Sequence, residues 1–494
     1  LERRPTAGLG LAASWPPEDE RDFIEEEEEG EEFIEYGCLA NLGGDLREVP
    51  SPCPQRVLYL PAFRKGFFML FLNTRSDSTR VLLLLAFVCL SNASFGSTTN
   101  ANGEAQNPGA TDDPITMLEV AVRGNVELSQ IREMSFAEQP LSRQQAELAS
   151  KLLWDQYQLL IRRNRAEEMR AKKIVVGEYA MPFDYKVFGE QPSEGRSLYI
   201  SMHGGGGTAA IVNDSQWENQ KRLYQPKEGV YVAPRAPTDS WNMWHQAHVD
   251  TCFARLIENM IVFENVDPNR VSIMGYSAGG DGVYQLAPRM ADRWAAAAMM
   301  AGHPNNASPL SLRNIGFTIH VGQNDNGFHR NEVAAKWSAK LAELHSSDPK
   351  GYKHYVEIHQ GKGHWMDRQD AVALDWMAKF TRNLRPEKVV WKQSGVFHHR
   401  FYWLAVDESQ QPKNSLIVAT HQGQSFDIET EDVKRLTIRM DDSMIDFDQP
   451  ITITAGEKVL YEGRVTRTLE TLIKTLTERG DPNAVFSAEV AVTL

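Results

Sequence analysis

Cysteine is scarce in this chain. Cys38, Cys53, Cys89 and Cys252 are the only four in 494 residues; they form no C-x-x-C pair, and only Cys252 falls within the globular body. That excludes a disulfide framework and a cysteine metal cluster and leaves Cys252 as a small core residue. Positive charge is also in deficit, with 52 Lys+Arg against 66 Asp+Glu and a formal net charge of −14. An acidic body argues against nucleic acid or an anionic membrane as partner. The apolar run Val81–Leu90 has ten residues, whereas a bilayer-spanning helix needs about twenty, so stable membrane insertion is not expected. No internal repeat is visible.

What is present divides along the chain. Residues 1–68 hold 15 Asp/Glu against 7 Lys/Arg, several prolines and the run Glu25–Glu29. Such a segment cannot bury enough surface to offset its ordering entropy, so disorder is expected there. Residues 69–97 have the layout of a secretory signal peptide: Arg75 and Arg80, then Val81–Leu90, then small residues from Ser91 to Ser97. That pattern sits at a protein's start, so Met69 is expected to be the initiator and 1–68 an over-extended reading frame. The expected location is secreted or periplasmic. Residues 98–115, rich in Asn, Gly, Thr and Ala, read as a linker.

Residues 116–172 read as a helical preface. Ser142 and Gln145 make a capping box, and Ala149, Leu153, Tyr157 and Leu160 make one apolar face. From 173 to 385, apolar runs at Ser197–His203, Gly229–Ala236, Arg270–Gly275, Ala295–Met300, Phe317–Gly322 and Tyr355–His359 alternate with helical faces. Those faces are Phe253/Leu256/Met260/Phe263, Val333/Trp337/Leu341/Leu344 and Ala373/Trp376/Phe380. Short buried strands between amphipathic helices predict an α/β fold, a mostly parallel sheet covered on both faces. Residues 386–494 read as a smaller β-rich domain, with strands at Phe401–Val406, Leu416–Thr420, Leu436–Met440, Ile451–Thr454, Val459–Gly463 and Val485–Leu494 and one helix near Thr466–Glu478.

Chemistry is concentrated in four places. Gly275-Tyr276-Ser277-Ala278-Gly279 follows an apolar strand and precedes a helical stretch. A nucleophile on a strained strand-to-helix turn needs small residues two places either side, which makes Ser277 the candidate nucleophile. His203-Gly-Gly-Gly-Gly207 follows another strand. Backbone N–H groups of Gly204, Gly205 or Gly206, with that of Ala278, could stabilise an oxyanion; the Lys-Ser/Thr of a phosphate-binding loop is missing. His364 lies on a glycine-rich loop after the last strand and is the candidate base, while His359 lies inside that strand. Asp325 follows the strand before it and is the candidate acid, with Asp367 as its rival. The order Ser, Asp, His is that of α/β-hydrolases.

On these motifs, Met181 to Phe380 resembles serine esterases of the α/β-hydrolase superfamily, of the polyhydroxybutyrate-depolymerase, feruloyl-esterase and dienelactone-hydrolase kind. It is also similar to prolyl-oligopeptidase catalytic domains, although the propeller of those peptidases has no counterpart here. The resemblance implies an α/β-hydrolase fold, a Ser-His-Asp triad, no metal or organic cofactor, and a small-molecule or polymeric ester substrate. A peptide substrate, or a hydrolase fold retained only for binding, are the alternatives. Trp241, Trp244, His245 and Tyr276 are expected to line the substrate pocket. No zinc-protease motif supports metal binding by His245, His248 and Asp250, and Asp441, Asp442, Asp446 and Asp448 match no calcium loop.

Overall fold

The structure is a computed structural model and describes residues 113–410 and 414–494. The acidic extension, the export-signal pattern and most of the linker lie outside the described residues. Three helices come first, α1 (Pro114–Arg123), α2 (Leu128–Arg132) and α3 (Arg143–Ala171). Both halves of the Ser142/Gln145 capping box form. The buried face of α3 runs Ala146, Ala149, Leu153, Tyr157, Ile161, so Ile161 takes the place expected of Leu160.

Eight strands build one sheet: β1 (Lys173–Val176), β2 (Tyr179–Phe188), β3 (Arg196–Met202), β4 (Gly229–Pro234), β5 (Val266–Tyr276), β6 (Ala296–Met300), β7 (Gly316–Gly322) and β8 (His354–His359). Their order is β1-β2-β4-β3-β5-β6-β7-β8. β3 to β8 are parallel, and β1 and β2 close one edge antiparallel. The connecting helices are α4 (Ala210–Leu223), α5 (Ala247–Glu264), α6 (Ala278–Arg289), α7 (Arg330–Ser347) and α8 (Val372–Met377). Side chains alternate across a strand, and the core divides accordingly. Leu198, Ile200, Val230, Val232 and Ile273 pack on one face with Trp244 and Phe253. Tyr199, Tyr231, Met274 and Ala298 pack on the other with Met366 and Leu374. This is the mostly parallel α/β architecture expected. The third helical face is a correction: α8 ends at Met377, and Phe380 lies beyond it, against Gly316.

Nine strands follow: β9 (Lys388–Lys392), β10 (Arg400–Phe401), β11 (Leu404–Val406), β12 (Leu416–Gln422), β13 (Ser425–Glu431), β14 (Arg435–Met440), β15 (Ile451–Ala455), β16 (Lys458–Gly463) and β17 (Ala488–Thr493). They form sheets ordered β10-β11-β14-β17 and β16-β15-β13-β12-β9. The single strand expected at Phe401–Val406 is instead a tight hairpin that turns at Tyr402, where φ is +54°. Rings meet across the two sheets, Trp391 on Phe401 and Trp403 on Phe426. One apolar cluster runs from the hydrolase sheet into this sandwich. A ninth helix, α9 (Leu469–Arg479), returns to pack Leu469, Leu472, Ile473 and Leu476 among α1–α3.

Candidate active site

In an open parallel sheet, loops gather at the carboxyl ends of the strands. Here the loops after β3, β5, β7 and β8 carry all four motifs. Ser277 follows β5 directly, with φ +57° and ψ −122°, and its N–H donates to the Met300 carbonyl at 2.9 Å. A non-glycine residue in that region is strained and persists only where its surroundings hold it. The flanking glycines explain how. A Cβ at Gly275 would stand 2.2 Å from the Gly279 carbonyl oxygen, and one at Gly279 would stand 2.3 Å from that of Met202.

His364 and Asp325 arrive from β8 and β7. His364 Nε2 lies 3.0 Å from Ser277 Oγ, and His364 Nδ1 lies 2.9 Å from Asp325 Oδ2. Asp325 is 2% exposed, with Arg330 Nη1 3.7 Å from its other oxygen. The rivals are occupied elsewhere: Asp367 pairs with Lys362 at 2.6 Å, and His359 is buried against His320. Tyr276 grips the base loop on both sides of the imidazole. Its hydroxyl donates to the His364 carbonyl at 2.6 Å and accepts the Met366 N–H at 3.1 Å.

The glycine loop approaches so closely that a Cβ on Gly204 would be 3.1 Å from Ser277 Cβ. Gly205 and Gly206 have φ of +110° and +118°, open to glycine and rarely to other residues. Buried Asn213 brackets Gly206, accepting its N–H and donating to its carbonyl, both at 3.0 Å. The Gly206 N–H is therefore already engaged, which removes Gly206 from the expected oxyanion donors and leaves Gly204, Gly205 and Ala278. His203 supports the loop from below, with Nδ1 2.6 Å from the Gly204 carbonyl and Nε2 accepting the Ala236 N–H at 3.1 Å. Burial pushes its pKa down to about 4, so it is neutral here. At the start of α6, burial raises Asp281 to about 6, although its carboxylate accepts the His303 N–H at 2.6 Å.

Two cavities flank Ser277. The larger, about 680 Å³, is lined by Gln216, Arg222, Leu223, Tyr276, Trp365 and Arg368 among others, with no Asp or Glu. The smaller, about 280 Å³, lies beyond the glycine loop between Trp241, Asp281, His303, Phe328 and Arg330. Tyr276 lines the larger cavity and Trp241 the smaller. Trp244 and His245 line neither. Trp244 is fully buried and donates its indole N–H to the His203 carbonyl at 3.0 Å, and His245 stands edge-on behind Trp241. Asp250 is taken by Arg289 and His398, and His248 stacks on Tyr179. Asp441 and Asp442 pair with Arg385 and Arg467. Asn213, Arg222, Arg330 and Arg368 went unread in the sequence. Only Arg368 carried a signal, its place four residues after His364 on the same loop.

Strand order, nucleophile turn and loop placement together decide the class. The fold is that of an α/β-hydrolase. Residues 226–379 match the family model described as the dienelactone hydrolase family, a hydrolase family in keeping with the serine-esterase resemblance. No curated protein sequence matches the chain. Solved structures similar to it include a thermostable esterase, at 18% identity, covering 42% of this chain and 62% of that one, with a TM-score of 0.33. A feruloyl esterase module from Clostridium thermocellum, solved with sinapinate, is 14% identical over 42% of this chain and 86% of its own, with a TM-score of 0.32. Esterase 2 of Thermogutta terrifontis is 16% identical over 42% and 90%, with a TM-score of 0.32.

Proposed function

We propose that the protein is an exported carboxylic-ester hydrolase that works through an acyl-enzyme on Ser277. The observation that carries this reading is the unbroken series Ser277–His364–Asp325, with contacts of 3.0 and 2.9 Å. His364 Nε2 takes the Ser277 proton as Oγ attacks the ester carbonyl. Asp325, on Nδ1–H, holds the imidazole in that tautomer and stabilises its protonated form. The N–H groups of Gly205 and Ala278 stabilise the tetrahedral oxyanion. His364 returns the proton to the leaving alkoxide, and the acyl group stays on Ser277. Water, deprotonated by His364, then releases the carboxylic acid by the same route.

The test is labelling by a fluorophosphonate probe, wild type beside Ser277→Ala. Wild type labels and the variant does not, and the variant loses several orders of magnitude in kcat with its fold unchanged. Folded wild type that fails to label would replace catalysis with a binding role. Parallel assays on short acyl esters and blocked peptide amides then separate esterase from peptidase. Export rests on the pattern at 69–97 and is checked by the N-terminus of protein recovered from outside the cytoplasm, expected after residue 97.

A further inference from the structure

One cluster of donor groups takes no part in the proposed chemistry. In the parallel pair β7–β8, Thr318 lies opposite Tyr355, His320 opposite Glu357, and Gly322 opposite His359. Residues two apart share a face, so Thr318, His320, Tyr355, Glu357 and His359 project to the same side. One donor atom each from His320, Glu357 and His359 lies within 4.8 Å of the other two, the single such group among the described residues.

The geometry within this group is specific. His320 Nδ1 and His359 Nε2 are 3.2 Å apart. Two nitrogens on one tetrahedral zinc, each about 2.0–2.1 Å from the metal, stand roughly 3.3 Å apart. The two rings are therefore already at ligand spacing, joined by a proton where an ion would sit. The other nitrogen of His320 faces Thr318 Oγ1 at 2.9 Å. Donating that N–H to the hydroxyl leaves Nδ1 as a lone pair aimed at the gap, which is how outer-shell partners fix a ligating imidazole. Tyr355 donates to Glu357 Oε2 at 2.6 Å, and Glu357 Oε1 lies 3.9 Å from His359 Nδ1. Both histidines are buried, whereas the Glu357 side chain is 39% exposed, which supplies an entry path and room for a water as fourth ligand. Asp370, buried with Oδ1 unpartnered, is an electrostatic neighbour of His359 and adds negative potential.

We propose that His320, His359 and Glu357 form a binding site for one zinc-class divalent cation that ties β7 to β8. Two imidazoles and a carboxylate are a donor set suited to zinc rather than to magnesium or calcium. When the ion enters, the proton between the rings moves to His359 Nδ1, so no proton need leave. The site lies five residues before Asp325 on one strand and five before His364 on the other. Its role is to position those loops, since none of its ligands touches the reacting atoms.

The experiment uses the full chain, stripped with a chelator and titrated with Zn2+ by calorimetry and thermal shift, with Co2+ as a spectroscopic stand-in. One Zn2+ per chain is expected, with a Kd in the micromolar range or tighter and a raised Tm. Co2+ should give the intense visible bands of a tetrahedral site, and Mg2+ at millimolar concentration should do nothing. Glu357→Gln keeps the Tyr355 contact and its metal-free Tm, and should weaken Zn2+ at least tenfold. His364→Ala, which removes the imidazole five residues after His359, should still bind one ion. No Zn2+ binding overturns the proposal, as does binding that Glu357→Gln leaves unchanged or that His364→Ala abolishes. Stoichiometry and Tm are read without substrate, so a failure of Ser277 to label leaves this test intact.

Discussion

The residue-level logic is that each group of the proposed site is held by a partner outside the proposed chemistry. Tyr276 holds the base loop, Asn213 the glycine loop and Arg330 stands beside the acid. The groups of the proposed triad stand out in the sequence because such chemistry demands neighbours: glycines around Ser277, glycines before His364, a strand end before Asp325. The partners do not, since an Asn or Arg inside a helix reads the same whether it faces solvent or a loop. Asp281 carries a pH consequence. Burial raises its folded pKa to about 6, above its unfolded value, so folding favours the protonated form. That contribution is present below about pH 4 and is lost as pH rises through about 6. Asp281→Asn keeps an acceptor for the His303 N–H and cannot ionise. Its stability relative to wild type should therefore grow from pH 4 to pH 8, by about 1–3 kcal/mol, read from thermal unfolding across that range.

At the scale of elements, legibility followed burial. β3, β4, β6 and β7 announced themselves as apolar runs because both of their faces are buried, and the second half of β5 did the same; β8 is half-buried and reads as a strand from its alternation alone. β1 and β2 gave no such run. They form the antiparallel edge, where Pro182, Asp184 and Lys186 interrupt any apolar run. α4 was unreadable for a different reason: its fully buried residues are Asn213 and Gln220, with Trp217 and Leu223 only partly buried beside them, so it presents no continuous apolar stripe. The contact between α6 and β3 is a tight constraint beside Ser277. Gly279→Ala would drive a methyl into the Met202 and His203 carbonyls. It should cost about 1–3 kcal/mol and abolish fluorophosphonate labelling, whereas alanine at Gly363, which has open space around its Cβ position, should leave labelling measurable. Comparing Tm and labelling for the two variants checks this.

For the whole described chain, the apolar core continues past residue 385, and buried charges seal the join. Arg382 and Asp481 pair at 2.7 Å with side chains 2% and 1% exposed. Burial alone would raise Asp481, but the Arg382 charge holds it below the usual carboxylate range. The pair therefore contributes stability above the unfolded carboxyl pKa and loses it as pH falls through the lower folded value. Asp481→Ala leaves a guanidinium buried without its partner and should cost about 3–5 kcal/mol. Calorimetry should show the sandwich and the hydrolase sheet melting in one transition, at a lower temperature than wild type.

Among the described residues, β8 is the last strand of its sheet, bonded to β7 alone, and it is the least buried of the parallel strands. It is also the strand from which His364 hangs. Edge elements open locally at lower free energy than central ones, so function and structure should fail in sequence rather than together. Warmed slowly, the protein should stop labelling while its circular dichroism is still native, and amides of β8 should exchange with deuterium ahead of those in β5. Its working lifetime is then set by how long one outer strand stays in place, not by how long the fold survives.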